Sequence, residues 1–244
     1  MQKHCHLIMI FCFSLLVGCA HTAPTPKSLF ENEFYPTQFQ CEDTPWCKIK
    51  AVLKDWPKAP EMAASVLVSN LTFMFRLPTG FEKLTAVPND KLPMLAAHYP
   101  GYNIAIALNE FSSALDLTPT SNAALNAEIV RAQASSKLVP TDVYRILFTV
   151  SSEEPEPENL YDRMMWRLAF IMKASKSYEP ESPPEMYRNG KWTVYTWTRA
   201  EEPPQTQTAI ITHEDFPARY LQVIGRGAPQ AIFDYLISTL SLDR

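Results

Sequence analysis

The chain has 244 residues, of which 46% are hydrophobic and 20% charged, and its formal net charge is -4. This composition is typical of one globular domain with a tail, and it excludes a collagen, a coiled coil and a wholly disordered protein. The weak acidity without basic clusters argues against a nucleic-acid partner, because neutralising phosphates takes concentrated Lys and Arg. Only 6 residues are Gly, which leaves little scope for loops that cradle phosphates or present a nucleophile. We expect no nucleic-acid partner, no cofactor and no metal.

The N-terminus has the pattern of an export signal. Lys3 gives a short positive segment, and residues 7–17 form an apolar run that is interrupted only by Ser14. A run of 11 residues is too short to span a bilayer as a helix, which takes about 20 residues, but it suits the apolar part of a secretory signal. A buried core helix, or an ordinary signal peptide with an incidental cysteine, is the alternative.

The end of this run, Leu16-Val17-Gly18-Cys19, resembles the bacterial lipobox. The resemblance implies a diacylglyceryl thioether on Cys19, cleavage after Gly18, and acylation of the new amino group, for example with palmitate. Two or three acyl chains anchor a protein stably, whereas a single chain does not. Ala20 follows Cys19 where an Asp would imply retention in the inner membrane. By resemblance to enterobacterial sorting, we expect a lipoprotein of the outer membrane that faces the periplasm.

Three parts of the chain follow from these signals. We predict a lipoprotein signal peptide over residues 1–18, a lipidated tether over 19–40, and a globular domain over 41–244. Prolines recur along the tether, as is typical of a spacer, at Pro24, Pro26 and Pro36.

The cysteines agree with an exported protein. Cys5 and Cys12 belong to the signal peptide and Cys19 to the lipobox, which leaves Cys41 and Cys47 as an even pair. In the oxidising periplasm such a pair forms a disulfide by default. The functional alternative is a redox-active dithiol, although the spacing is not Cys-x-x-Cys. A zinc site would need two further ligands nearby.

In the first half of the domain, the apolar spacing alternates between helical and strand periods. Apolar residues at helical spacing predict a short amphipathic helix over 48–56, which either packs on the domain or lies on an anionic membrane surface. Strict alternation predicts a half-buried strand over 71–77. Residues 94–97 and 104–108 have the pattern of two further strands, joined by a turn around Pro100-Gly101.

The middle of the domain is predicted to be helical. We expect a helix over 122–138, capped by Thr120 or Ser121, and another over 160–174. Residues 143–150 suit either a helix or a strand. The acidic run over 153–158 is typical of a solvated loop before the next helix.

The C-terminal part is predicted to be rich in strands. Asn189-Gly190 is the best hairpin signal of the chain, because a type I′ turn favours this dipeptide. The remaining predicted elements are three strands over 192–198, 206–212 and 219–224, and a helix that begins at Pro229. These elements predict the α+β class, with helices packed on an antiparallel sheet in a single domain.

Residues 73–81, Phe-Met-Phe-Arg-Leu-Pro-Thr-Gly-Phe, resemble the opening strand of the PsbP-like α/β sandwich, which ends in Leu-Pro-x-Gly-aromatic. The closing half is also similar, with a hairpin, the strand Tyr220-Leu221-Gln222-Val223-Ile224 and a terminal helix. The resemblance covers residues 70–242 and departs from the simplest version of the family in the helices inserted between 121 and 175. It implies a fold that periplasmic lipoproteins also use, with diverse partners and no assigned activity.

The histidines give no clear catalytic pattern. His213-Glu214-Asp215 is the one compact cluster of His and carboxylates, but adjacent residues point in different directions and rarely hold one metal. We interpret it as a turn after a strand, and His98 as a residue at a strand end. Gly-x-Ser-x-Gly and His-Glu-x-x-His motifs are absent. We therefore predict no catalytic residues, while a site assembled only by the fold stays open.

Aromatic residues are the remaining candidates for a binding site. Tyr195 and Trp197 fall on one face of the predicted strand over 192–198, and Trp192 falls on the other. One set is expected to fill the core, while the other is either covered by a helix, which we favour, or faces a partner, where Trp and Tyr serve as anchors. The leading hypothesis is a non-enzymatic envelope lipoprotein that binds an envelope protein. The alternatives are a toxin-neutralising immunity lipoprotein and an envelope hydrolase.

Overall fold

A computed structural model describes residues 41, 44–61, 64–70, 72–87, 94–111, 123–175, 178–199 and 204–243. The predicted signal peptide, Cys19, the tether, and the cap candidates Thr120 and Ser121 lie outside the described residues. Among the residues that are described, no helix is long and apolar enough to cross a membrane.

The described residues form strands, α-helices and one short 3₁₀ helix at Pro45–Lys48. The strands are β1 Val52–Lys54, β2 Ser65–Asn70, β3 Phe73–Pro78, β4 Lys83–Val87, β5 Met94–Tyr99, β6 Tyr102–Glu110, β7 Glu185–Asn189, β8 Trp192–Arg199, β9 Thr206–His213, β10 Arg219–Arg226 and β11 Ser241–Leu242. The α-helices are α1 Ala123–Ser135, α2 Asp142–Thr149, α3 Leu160–Ala174 and α4 Gln230–Ser238.

Two sheets form the frame of the domain. The larger has eight strands in the order β1-β7-β8-β9-β10-β6-β5-β4, and the smaller has three in the order β11-β3-β2. All neighbouring strands are antiparallel except the parallel pair of β1 and β7. One apolar core lies between the large sheet and helices α1 to α3. A second lies on the opposite face, against the small sheet and α4. The α+β class with helices on an antiparallel sheet is confirmed.

Helices α2 and α3 form the centre of the first core. Helix α3 begins at Asn159, whose side chain accepts hydrogen bonds from the backbone N–H groups of Tyr161 and Asp162, a common N-cap arrangement. Of residues 143–150, which suited either element, all but Val150 are helical, because Ile146, Leu147 and their neighbours on α2 pack into this core. Phe148 of α2 stacks on Tyr195 of the sheet, with ring centroids 4.6 Å apart.

The predicted strand over 71–77 is confirmed as β3 and contributes to the second core. Phe73, Phe75 and Leu77 are fully buried, whereas Arg76 between them is exposed, as the alternation of a half-buried strand requires. At the crossing of α4 and β10, a Cβ on Gly225 would lie 2.6 Å from Cε2 of Phe233. A glycine at this position therefore lets the helix approach the sheet closely.

The Asn189-Gly190 hairpin is also confirmed, with a small shift in its turn. Asn189 pairs with Trp192, so the turn residues are Gly190 and Lys191. Gly190 has a φ of 56°, a conformation that glycine adopts without steric cost.

The predicted helix over 48–56 is wrong. The 3₁₀ helix ends at Lys48, and Val52–Lys54 form strand β1. The backbone N–H of Val52 donates to the carbonyl of Pro184, and β1 pairs in parallel with β7. Pairing with a distant strand overrides the local helical spacing, as tertiary context often does for short segments.

Candidate ligand-binding cavities

On the face of the large sheet that meets the helices, the strand register sets the side chains in rows, and three of these rows lie beneath the cavities and α2. Arg188, Thr193 and Thr212 are cross-strand neighbours in the first row. Tyr195 and Ile210 lie in the middle row, beneath α2. The third row, which starts two residues further along β8, consists of Trp197, Thr208 and Ile224. Two cavities open between this face and the helices, one over the first row and one over the third.

The cavity over the third row, here called the helix–sheet cleft, has a volume of about 160 Å³. It is lined by Tyr144, Leu147, Met172, Ser175, Tyr178, Trp197, Arg199, Thr208, Ile210, Gln222 and Ile224. Most of this wall is apolar or aromatic. A cavity of roughly 150 Å³ in another protein is known to hold a benzene ring, so the cleft is large enough for a small organic molecule.

Two hydrogen-bond donors in the wall of the cleft lack partners. The hydroxyl of Tyr178 and the Nε1–H of Trp197 are inaccessible to solvent and bond to no described residue. Tyr178 is only 3% exposed, and burial raises the pKa of its hydroxyl, so the group stays protonated at neutral pH. A buried polar group without a partner costs about 1–3 kcal/mol. No water molecule can touch either group in this structure, so an acceptor bound in the cleft reaches them only after the wall of the cleft shifts.

The second cavity, here called the polar groove, lies over the first row and has a volume of about 480 Å³. It is lined by Val139, Thr141, Asp142, Arg145, Arg188, Gly190, Lys191, Thr193, Tyr195, Thr212, His213, Glu214 and Pro217. Arg145 donates to Asp142 at 2.7 Å, and Lys191 donates to Asp215 at 2.6 Å. Unlike the cleft, this cavity is lined mainly by charged and hydroxyl side chains.

His213 holds a structural position beside the polar groove. Its ring lies against Trp192, with centroids 4.5 Å apart, and its Nδ1 accepts the backbone N–H of Asp215 at 3.2 Å. Burial lowers the pKa of His213. His98, at the far end of the sheet, is exposed and bonds to Asn103 at 2.8 Å. Among the residues that the structure describes, no three His, Cys, Asp or Glu side chains are grouped to hold a metal ion.

The aromatic residues of β8 divide between the two faces as predicted, and on both faces they pack against other elements. Tyr195 is 2% exposed beneath α2. Trp197 packs against Phe148 and borders the cleft. Trp192 packs against Phe73 in the second core. Of the two alternatives, the structure favours coverage, because helices pack on one face of β8 and the small sheet packs on the other.

Cys41 and Cys47 are joined by a disulfide, with Cα atoms 5.5 Å apart. Both residues are buried in the first core. The chain after the disulfide is fixed by Lys173 of α3, whose Nζ donates to the carbonyls of Ile49 and Val150 at 3.0 and 2.6 Å. This ammonium is fully buried, and burial lowers its pKa to about 8.

Sequence reasoning missed two residues that matter most at the cavities, Tyr178 and Arg188. Tyr178 follows the end of α3, and Arg188 precedes the hairpin turn. Neither belongs to a motif, and each gains its significance only from residues distant in the sequence. The one available signal was the register of the hairpin, which places Arg188 opposite Thr193 and diagonal to Tyr195.

No protein-family model matches the chain, and no curated protein matches its sequence. The residues of the two cavities and the sequence signals at the N-terminus are therefore the features that indicate a function.

Proposed function

We propose that the chain is a lipid-anchored envelope protein with a non-catalytic binding role, whose domain takes a small, largely apolar ligand in the helix–sheet cleft. The ligand carries a hydrogen-bond acceptor, such as a carbonyl oxygen. The observation that carries this proposal is the largely apolar cleft, whose wall includes Tyr178 and Trp197, two residues with buried donors that bond to no described residue.

The apolar lining supports a ligand over bulk water. Leu147, Met172, Ile210 and Ile224 contribute aliphatic or thioether surface to the cleft, and binding sites of this kind are mostly apolar with a few placed polar groups. An acceptor on the ligand would satisfy donors that are otherwise buried at a cost. The ligand is therefore held by shape and by one or two hydrogen bonds.

A matched pair of probes tests the acceptor. Acetophenone and α-methylstyrene have the same shape, but only acetophenone has a carbonyl oxygen. We expect the full chain in lipid nanodiscs to bind acetophenone about fivefold more tightly, since one net hydrogen bond contributes about 1 kcal/mol. Binding is followed by the indole N–H resonance of Trp197, which is assigned with the Trp197→Phe variant.

The Tyr178→Phe variant should bind both probes with similar affinity, because it keeps the shape of the cleft and removes one donor. Tyr102→Phe is the matched control, since Tyr102 stacks on Tyr99 on the other face of the sheet. If neither probe shifts the Trp197 resonance in a saturable way, the cleft binds no such ligand and the ligand role is rejected.

The lipid anchor is proposed from the lipobox at Cys19. It is tested by growing cells with an alkyne-tagged fatty acid and measuring its incorporation into the chain. Cys19→Ser should abolish labelling, whereas Cys12→Ser, in the signal peptide, should leave it unchanged. Equal labelling of both variants would contradict the anchor.

A protein partner is the second candidate, and one observation favours a particular surface for it. Met94 and Ile224 belong to the helix-side face of the large sheet and are 38% and 37% exposed. A photo-crosslinking residue at position 94 should capture a specific envelope protein in intact cells. The same residue at Leu67, which is exposed on the small sheet, is the control, and equal yields at the two positions would count against this surface.

A further inference from the structure

We propose that the polar groove is a second binding site, independent of the helix–sheet cleft, which takes an oxyanion group between Arg188, Arg145 and Tyr195. The oxyanion is a carboxylate or a phosphate carried by a small molecule or by a lipid headgroup.

Tyr195 provides a buried donor at the groove. The residue is 2% exposed and its side chain lines the groove, while its ring is fixed by stacking on Phe148. No hydrogen bond joins its hydroxyl to another residue that the structure describes. Burial raises the pKa of Tyr195 to about 12, so the hydroxyl is a neutral donor at physiological pH.

Arg188 provides an unmatched positive charge beside that hydroxyl. Arg188 pairs with Thr193 across the hairpin, which makes it the diagonal neighbour of Tyr195 on the same face, within reach of a long side chain. Within the described ranges, Arg188 forms no ion pair. An arginine has five N–H donors in a planar fork that matches the oxygens of a carboxylate or phosphate.

Arg145 approaches the same point from α2. One of its donors, Nε, is used by Asp142, and Asp142 also accepts the backbone N–H of Val139. The guanidinium groups of Arg188 and Arg145 both favour the ionised form of the Tyr195 hydroxyl, whereas Asp142 opposes it. All three charges therefore act on the Tyr195 hydroxyl, and their sum is a net charge of +1.

At the opposite end of the groove the net charge is negative. Lys191 is paired with Asp215, and Glu214 adds a further negative charge beside it. An anion is consequently attracted to the end at Tyr195 and repelled from the hairpin end. Because the two ends of the groove differ in charge, a bound molecule is oriented with its anionic group at the Tyr195 end.

The test uses the full chain in dodecyl maltoside, a detergent without phosphate, at constant ionic strength. Inorganic phosphate, acetate and glycerol 3-phosphate are titrated separately by calorimetry. We expect saturable 1:1 binding of at least one probe. Acetate binding would identify a carboxylate ligand, and tighter binding of glycerol 3-phosphate than of inorganic phosphate would identify a phosphate ester, the group that a lipid headgroup carries.

Two variants locate the site. Arg188→Gln should weaken binding at least tenfold, and Tyr195→Phe should weaken it by about fivefold with an unchanged circular dichroism spectrum. Arg226→Gln is the matched control, because Arg226 is an exposed arginine at the end of β10 and does not line the groove. The proposal is overturned if no probe binds saturably, or if the control weakens binding as much as Arg188→Gln.

Discussion

The buried ammonium of Lys173 should make the stability of the domain rise with pH in the weakly alkaline range. Its Nζ is enclosed in the first core and donates to the carbonyls of Ile49 and Val150. Burial is the main cause of its lowered pKa, which falls from 10.5 to about 8. Glu154 raises the pKa of Lys173 in part, and Lys50 lowers it further.

The direction follows from proton binding in the two states. Between pH 8 and 10.5 the unfolded chain holds a proton on this lysine that the folded chain has released, so the free energy of unfolding increases with pH. The full shift is equivalent to about 3 kcal/mol, at 1.36 kcal/mol for each pKa unit. By pH 9.5 about 2 kcal/mol of this difference is expected. Below pH 8 the ammonium is charged in both states and the contribution does not change.

The measurement compares the wild type with Lys173→Met by urea unfolding at pH 7, 8, 9 and 9.5, followed by tryptophan fluorescence. The difference between the two chains isolates Lys173, because tyrosines and other titrating groups are common to both. Lys48→Met is the control, since the Lys48 side chain is 57% exposed and pairs with Glu153 at the surface. A difference in the free energy of unfolding that stays constant from pH 7 to 9.5 would refute the reasoning.

Three further predictions concern stability and are measured by urea unfolding at pH 7. Tyr178→Phe should leave the free energy of unfolding unchanged or raise it by about 1 kcal/mol, because it removes a buried unpartnered hydroxyl; a loss above that amount would mean that the hydroxyl has a partner. The double variant Cys41→Ser, Cys47→Ser should lower it by about 2 kcal/mol, the value expected from closing so short a loop, and dithiothreitol should then affect only the wild type. Gly225→Ala should lower it by about 1–3 kcal/mol through overlap with Phe233, and Phe233→Leu in the same chain should restore part of the loss.

Long segments with a clear period could be predicted from the sequence, because their burial follows from local spacing. Helix α3 was predicted within its observed bounds, since its apolar residues recur every three or four positions over 15 residues. Strand β3 was predicted because Phe73, Phe75 and Leu77 alternate with less buried residues. In both cases the segment is long enough for one period to dominate.

Short segments were not predictable for the same reason. Strand β1 has three residues, and the helical spacing was that of Ile49, Val52, Leu53 and Trp56, of which only Val52 and Leu53 lie within the strand. Its conformation is decided by hydrogen bonds to β7 and Pro184, more than 100 positions along the chain. No local pattern carries that information.

The candidate sites were predictable only in part. The alternation of β8 correctly placed Tyr195 and Trp197 on one face, but whether that face is covered depends on helices from an earlier part of the chain. Trp197 was expected either to lie under a helix or to face a partner, and the structure packs it against α2, partly buried beside the cleft, with an Nε1–H that bonds to no described residue. The hydrogen bonding at the cleft therefore depends on the position of the Nε1–H of Trp197, which cannot be predicted from composition or spacing.

Helix α2 connects the two proposed sites and decides which variants can separate them. Tyr144 and Leu147 line the cleft, while Asp142 and Arg145 line the groove, so a substitution on α2 that shifts the helix would disturb both. Tyr178 and Arg188 lie outside α2, on the segment after α3 and on β7, and each borders only one of the two cavities. Loss of acetophenone selectivity in Tyr178→Phe with phosphate or acetate binding intact, and the reverse in Arg188→Gln, is what two independent sites require.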